Sequence, residues 1–153
     1  MSDAVFLDTG PLGILVKHPT KPEVIACSTW LLDCVAAGRN VYLPEIVDYE
    51  LRRELLQSGF SHSIARLDKL KAKLIYLPLT TDAMLLAAGL WAQTRRGGQA
   101  TSDPKSLDGD VILAAQMVST GIPGITGIVA TGNAKHLGRL VRCADWSDIS
   151  PAG

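Results

Sequence analysis

The hydrophobic pattern of this chain changes period repeatedly, and that alternation limits its folds more than any other feature. Residues 4–7 (Ala-Val-Phe-Leu) form a short apolar run that stops at Asp8-Thr9-Gly10-Pro11, which reads as a buried strand ending in a turn. Residues 23–37 have helical periodicity and are closed by Gly38. Residues 41–43 form a second strand, after which Pro44 suits the first position of a helix running to Gln57 and stopped by Gly59. Residues 61–73 read as a helix and 74–77 as a third strand. Thr80 or Thr81 can cap a helix reaching about Arg95, which Gly97-Gly98 ends. Residues 99–107 read as a polar loop and 108–120 as a helix. Residues 128–130 form a strand ending in Thr131-Gly132-Asn133, and 141–143 a last strand. Strands alternating with helices predict the α/β class, a three-layer α/β/α sandwich around a mostly parallel sheet of four to five strands. In such sheets ligands bind outside the carboxyl ends of the strands. Two of those ends, Asp8-Thr9-Gly10 and Thr131-Gly132-Asn133, carry polar turns.

Length and composition narrow the class further. At 153 residues the chain is expected to form a single domain over 1–153, with 47% hydrophobic and 20% charged residues. Fifteen basic residues balance fifteen acidic ones, which excludes a strongly basic nucleic-acid coat while leaving room for a local basic patch. No apolar stretch approaches the roughly 20 residues of a membrane helix, and Met1-Ser2-Asp3-Ala4 carries an acid where a signal peptide carries positive charge. Cys27, Cys34 and Cys143 have no metal-binding spacing and read as small buried hydrophobes, so a reducing, cytoplasmic location is expected.

Four places could carry chemistry. Asp8 follows the first strand directly, where an Asx-turn or a helix cap would also use it. On the helix after Pro44, Ile46, Val47, Leu51 and Leu55 form the apolar face, and Glu50 sits at its edge, where it needs a cation or a donor. Arg53 could supply that charge, while Glu45 reads as a response to the helix dipole. Asp108 and Asp110 crowd the start of a very apolar helix; two residues apart on a helix, they point in nearly opposite directions. The simplest division makes Asp108 the N-cap and lets Asp110 project toward the sheet, although both could serve only the helix end. Thr131 and Asn133 offer a hydroxyl and an amide at a strand end, which is also plain turn chemistry. Separated carboxylates of this kind suit a hard divalent cation bound by oxygens. His18, His62 and His136 are isolated, and no phosphate-loop, nucleophile-elbow or zinc-protease motif is present.

As a set, these residues resemble the PIN-domain nucleases. The resemblance rests on Phe6-Leu7-Asp8-Thr9 at a strand end, Glu50 within Pro44-Glu45-Ile46-Val47-Asp48-Tyr49-Glu50-Leu51, the helix opening Asp110-Val111-Ile112-Leu113-Ala114-Ala115, and Thr131 and Asn133 with Leu137 following. It covers residues 4–147. It implies a PIN-like fold and a magnesium-dependent ribonuclease, with manganese as substitute. Asp8, Glu50 and Asp110 would be both metal ligands and catalytic residues, and Asn133 the fourth catalytic position. Thr9, Asp108 and Thr131 would support them. Asn133 departs from the more acidic pattern, so one tightly held metal is expected, with a second only beside a phosphate substrate. Many members of this size resemble VapC toxins of toxin–antitoxin pairs, which implies an antitoxin partner and a homodimer. For RNA, Arg66, Lys69 and Lys73 make a basic stripe on one helix, to which Arg53 and the neighbouring Arg52, Arg95 and Arg96 add charge. Two other readings stay open: a PIN-like module that binds RNA or a protein without cutting, and a receiver-like regulator with one phosphoacceptor aspartate.

Overall fold

The computed structural model describes residues 4–98, 104–123 and 126–153, the side chains of 104–106 apart. Five strands form one sheet: β1 (Ala4–Leu7), β2 (Val41–Pro44), β3 (Ile75–Leu77), β4 (Gly127–Ala130) and β5 (Cys143–Ala144), in the order β3-β2-β1-β4-β5. Every pairing is parallel; Val5 lies opposite both Val41 and Ile128. The central strand β1 is buried along its whole length, which explains why it reads as an unbroken apolar run rather than an alternating one.

Helices cover both faces of the sheet: α1 (Thr9–Leu15), α2 (Pro22–Ala36), α3 (Glu45–Ser58), α4 (Ser61–Lys73), α5 (Thr81–Arg96), α6 (Pro104–Ser119) and the single turn α7 (Ala134–Leu137). The expected three-layer α/β/α sandwich is therefore the fold, with all five strands present. The order 3-2-1-4-5 differs from the 2-1-3-4-5 order of receiver domains, which removes the receiver-like reading. Its direction reverses between β1 and β4, so the crevice at their carboxyl ends is the topological switch point. Among the described residues, no helix is long and apolar enough to cross a membrane.

The main core joins β1, β2 and β4 to Leu12, Trp30, Val47, Leu51, Leu67, Leu113 and Leu137. A smaller cluster of Ala83, Ala87, Leu107, Val111 and Ala115 packs α5 on α6. Cys27 and Cys34 are buried free thiols on the inner side of α2, as their spacing indicates.

Several boundaries correct the sequence reading. The Asp8-Thr9-Gly10-Pro11 turn is the start of helix α1: Asp8 is its N-cap, and Pro11 falls in the first turn, where no amide donor is required. Pro44 ends β2 and caps α3 rather than beginning it. The polar loop expected over 99–107 lies outside the described residues for 99–103, and 104–107 are helical. Pro104 opens α6, so Asp108 sits one turn inside the helix and is not its N-cap. The last strand is Cys143–Ala144, two residues later than the apolar pattern indicates. Glu45 does more than answer the helix dipole, because its Oε1 accepts the Leu79 amide at 2.6 Å.

A candidate acidic site at the switch point

Asp8 occupies the centre of the crevice because β1 ends one residue before it. The Thr9 amide donates to its Oδ1 and the Thr131 hydroxyl to its Oδ2, both at 2.7 Å. Thr131 follows β4 directly and is only 1% exposed. Its hydroxyl oxygen also accepts the Asn133 amide at 3.0 Å. Adjacent strand ends thus fix both carboxylate oxygens of Asp8, and the helix-cap use and the site position coincide in one residue.

Glu50 on α3 and Asp110 on α6 are half-buried and face the same charge. Burial, followed by the nearby Asp8 charge, pushes the Asp110 carboxyl up to about 6. Glu50 is likewise pushed up to about 6 by burial, then by Asp8, with Arg53 opposing and Asp110 and Glu54 adding to the rise. The Cys143 thiol is raised by burial and then by Asp8 and Asp110. Asp8 is therefore the electrostatic hub. Glu50 also presses on the backbone of α6: a methyl group built on Gly109 would lie 2.7 Å from Glu50 Oε2 and 2.8 Å from Oε1.

Among the described residues, no group of three or more His, Cys, Asp or Glu side chains is arranged to hold a metal ion. Asp8, Glu50 and Asp110 share a field but not a ready-made coordination sphere. The donor chemistry nevertheless fits a hard divalent cation. All the candidate donors are oxygens, and burial and like charge raise two of the carboxyls, which a bound cation would oppose. Magnesium also commonly takes one or two carboxylates directly and keeps its waters.

The other expected residues fare differently. Asn133 is exposed and precedes α7, and its side chain makes no capping hydrogen bond. Asp108 is exposed on α6, and with Tyr49, Glu50, Arg53 and Gly109 it lines a cavity of about 450 Å³ between α3 and α6. Arg53 stands over the Tyr49 ring at 5.2 Å and shares this cavity with Glu50 and Asp108. The basic stripe of α4 divides. Arg66 donates to the Val16 carbonyl at 3.0 Å and lines a groove of about 740 Å³ that begins at Thr9 and Gly10. Lys69 and Lys73 are exposed on α4 and line neither cavity.

Arg52 corrects the count of free charge. It chelates buried Asp48 at 2.9 and 3.2 Å and holds Asp68 at 2.8 Å, tying α3 to α4. The sequence reading missed Lys17 and Lys21, which rim the larger groove with Arg66. Their place beyond the unrecognised helix α1 concealed them. It also missed Gln116, whose only signal is a polar side chain inside an apolar helical run.

No family model and no curated protein matches the chain. Solved structures do. VapBC2 from Rickettsia felis, bound to a DNA fragment from its promoter, matches with a TM-score of 0.70 at 14% identity, over 94% of this chain and 98% of that one. VapBC-1 from nontypeable Haemophilus influenzae matches with a TM-score of 0.68 at 16% identity, over 95% and 99%. DNA-bound VapBC from Salmonella typhimurium matches with a TM-score of 0.69 at 23% identity, over 95% and 99%. The chain thus has the PIN-like three-layer fold that these proteins share.

Proposed function

We propose that this protein is a metal-dependent ribonuclease, the toxin of a toxin–antitoxin pair, and that Asp8, Glu50, Asp110 and Asn133 form its catalytic site. The observation that carries this reading is that Glu50 from α3 and Asp110 from α6, both half-buried, lie within the field of Asp8 at the end of β1, burial first and the Asp8 charge second raising both carboxyls, a clustering of acids that a divalent cation would offset. Likeness in fold to three VapBC proteins supports the toxin assignment and an antitoxin as partner.

Asp8, Glu50 and Asp110 would hold Mg²⁺, or Mn²⁺ in its place. When bound, such an ion supplies an activated water and positive charge for the phosphoryl oxygens. Thr131 and the Thr9 amide keep the Asp8 carboxylate in one orientation, and the Thr9 hydroxyl and the Asn133 amide orient ligands by hydrogen bonds. Asp108 and Arg53 stand on opposite sides of the charge balance at the mouth, where Arg53 holds a phosphate next to the scissile one. Tyr49, exposed beside it, offers a face for a base. Arg66, Lys69 and Lys73 contact RNA beyond the crevice. Water adds across the phosphodiester bond, the P–O ester bond breaks, and the leaving oxygen takes up a proton. With Asn133 uncharged, one tightly held ion per chain is expected without substrate. The exposed apolar residues of α5, Leu85 and, along its groove with α6, Met84 and Trp91, are the expected homodimer surface.

Incubation of purified protein with a mixed RNA pool in Mg²⁺, Mn²⁺ or EDTA, beside Asp110→Asn, tests the proposal. Cleavage that needs the ion and disappears in Asp110→Asn is the expected result. RNA or partner binding without cleavage would favour a PIN-like binding module. The lack of a preformed three-ligand cluster among the described residues is the observation on that side.

A further inference from the structure

Position 109 is an unusual place for glycine. It lies inside α6, where glycine is the poorest helix former apart from proline. Its φ is not positive, so the backbone does not require glycine. The three atoms nearest to an added Cβ all belong to one side chain: Oε2, Oε1 and Cδ of Glu50, at 2.7, 2.8 and 3.0 Å. Space at this point is therefore occupied by a carboxylate arriving from α3, between Asp108 and Asp110 on the chain.

We propose that Gly109 is a positioning residue for Glu50: the missing side chain lets the Glu50 carboxylate seat against α6, within the field of Asp8 and Asp110. The inference rests on the cation reading of this site and deepens it. A Cβ at 109 meets the free end of a flexible side chain rather than backbone. The helix stays in place and the carboxylate moves. Gly109→Ala thus separates cation binding from folding, since alanine favours the helix while it displaces a ligand.

The test is Mn²⁺ titration without RNA, with free Mn²⁺ read by electron paramagnetic resonance, for the wild type, Gly109→Ala, Glu50→Gln and the double variant. Gly109→Ala is expected to bind Mn²⁺ about tenfold more weakly, with the Tm of the metal-free protein unchanged or raised. The double variant should bind no more weakly than Glu50→Gln alone, because Gly109 acts through Glu50. Wild-type affinity in Gly109→Ala, a further loss in the double variant, or a fall in Tm would each overturn the inference. A wild type that binds no Mn²⁺ would instead sink the cation reading, and the inference with it.

Discussion

At Asp110, burial and the Asp8 charge raise the carboxyl from 3.8 to about 6, and Glu50 rises from 4.5 to about 6. Between about pH 4 and 6 the folded protein therefore holds more protons than the unfolded chain. Stability falls as pH rises through that window and stays reduced above it. Asp110→Asn removes one such carboxyl. In EDTA it should melt above the wild type at pH 7 and close to it at pH 4, with a flatter profile between. Parallel melting profiles would show that the Asp110 carboxyl is not raised on folding. Thr131 acts on Asp8, the charge that adds to both rises. Thr131→Val removes the donor to Asp8 Oδ2 and should weaken Mn²⁺ binding roughly 10–100-fold, measured by calorimetry. Asp8 and Thr131 were legible because each follows an apolar strand directly. The N-cap reading of Asp108 fails because its helix starts at Pro104, a start that Ser102-Asp103 followed by proline signals in the sequence and that the weight given to the two later acids obscured.

Among the elements, α3 and α6 have to stay in register for Glu50 and Asp110 to meet. Gln116, 1% exposed, joins them: its Oε1 accepts the Ile46 amide at 3.1 Å, and its Nε2 donates to the Leu77 carbonyl at 2.8 Å. Gln116→Leu leaves the buried Ile46 amide without its acceptor and removes the donor to the Leu77 carbonyl, and should cost about 2–4 kcal/mol, measured by urea denaturation. A loss below 0.5 kcal/mol would show that other groups or water replace the amide. Long helices with an apolar stripe were readable almost to the residue, the start of α6 excepted; α4 spans 61–73 as its pattern indicates, and Thr80 caps α5 through the Ala83 amide. Helix α1 was not readable. It has only seven residues, includes two glycines and a proline, and gains its stability from packing Pro11, Leu12 and Leu15. Strand β5 has two residues, too few for a periodic signal.

For the whole molecule, the strand order places β1 and β4 side by side and so brings together residues 123 positions apart in the chain, Asp8 and Thr131. Alternating strands and helices revealed the layers, but not the order of strands within the sheet, which depends on long-range pairing. The proposed homodimer surface on α5 belongs to this scale too. Leu85 is 68% exposed beside Met84 and Trp91, and Leu85→Lys should convert a dimer to a monomer in sedimentation equilibrium. A dimer that survives the change would move the interface elsewhere. The central claim, that Asp8, Glu50 and Asp110 together hold a divalent cation, can be tested without knowing the RNA target. Anomalous diffraction from crystals grown with Mn²⁺ should give one peak among these three carboxylates. No peak there at saturating Mn²⁺, or a peak only at surface carboxylates, would contradict the account.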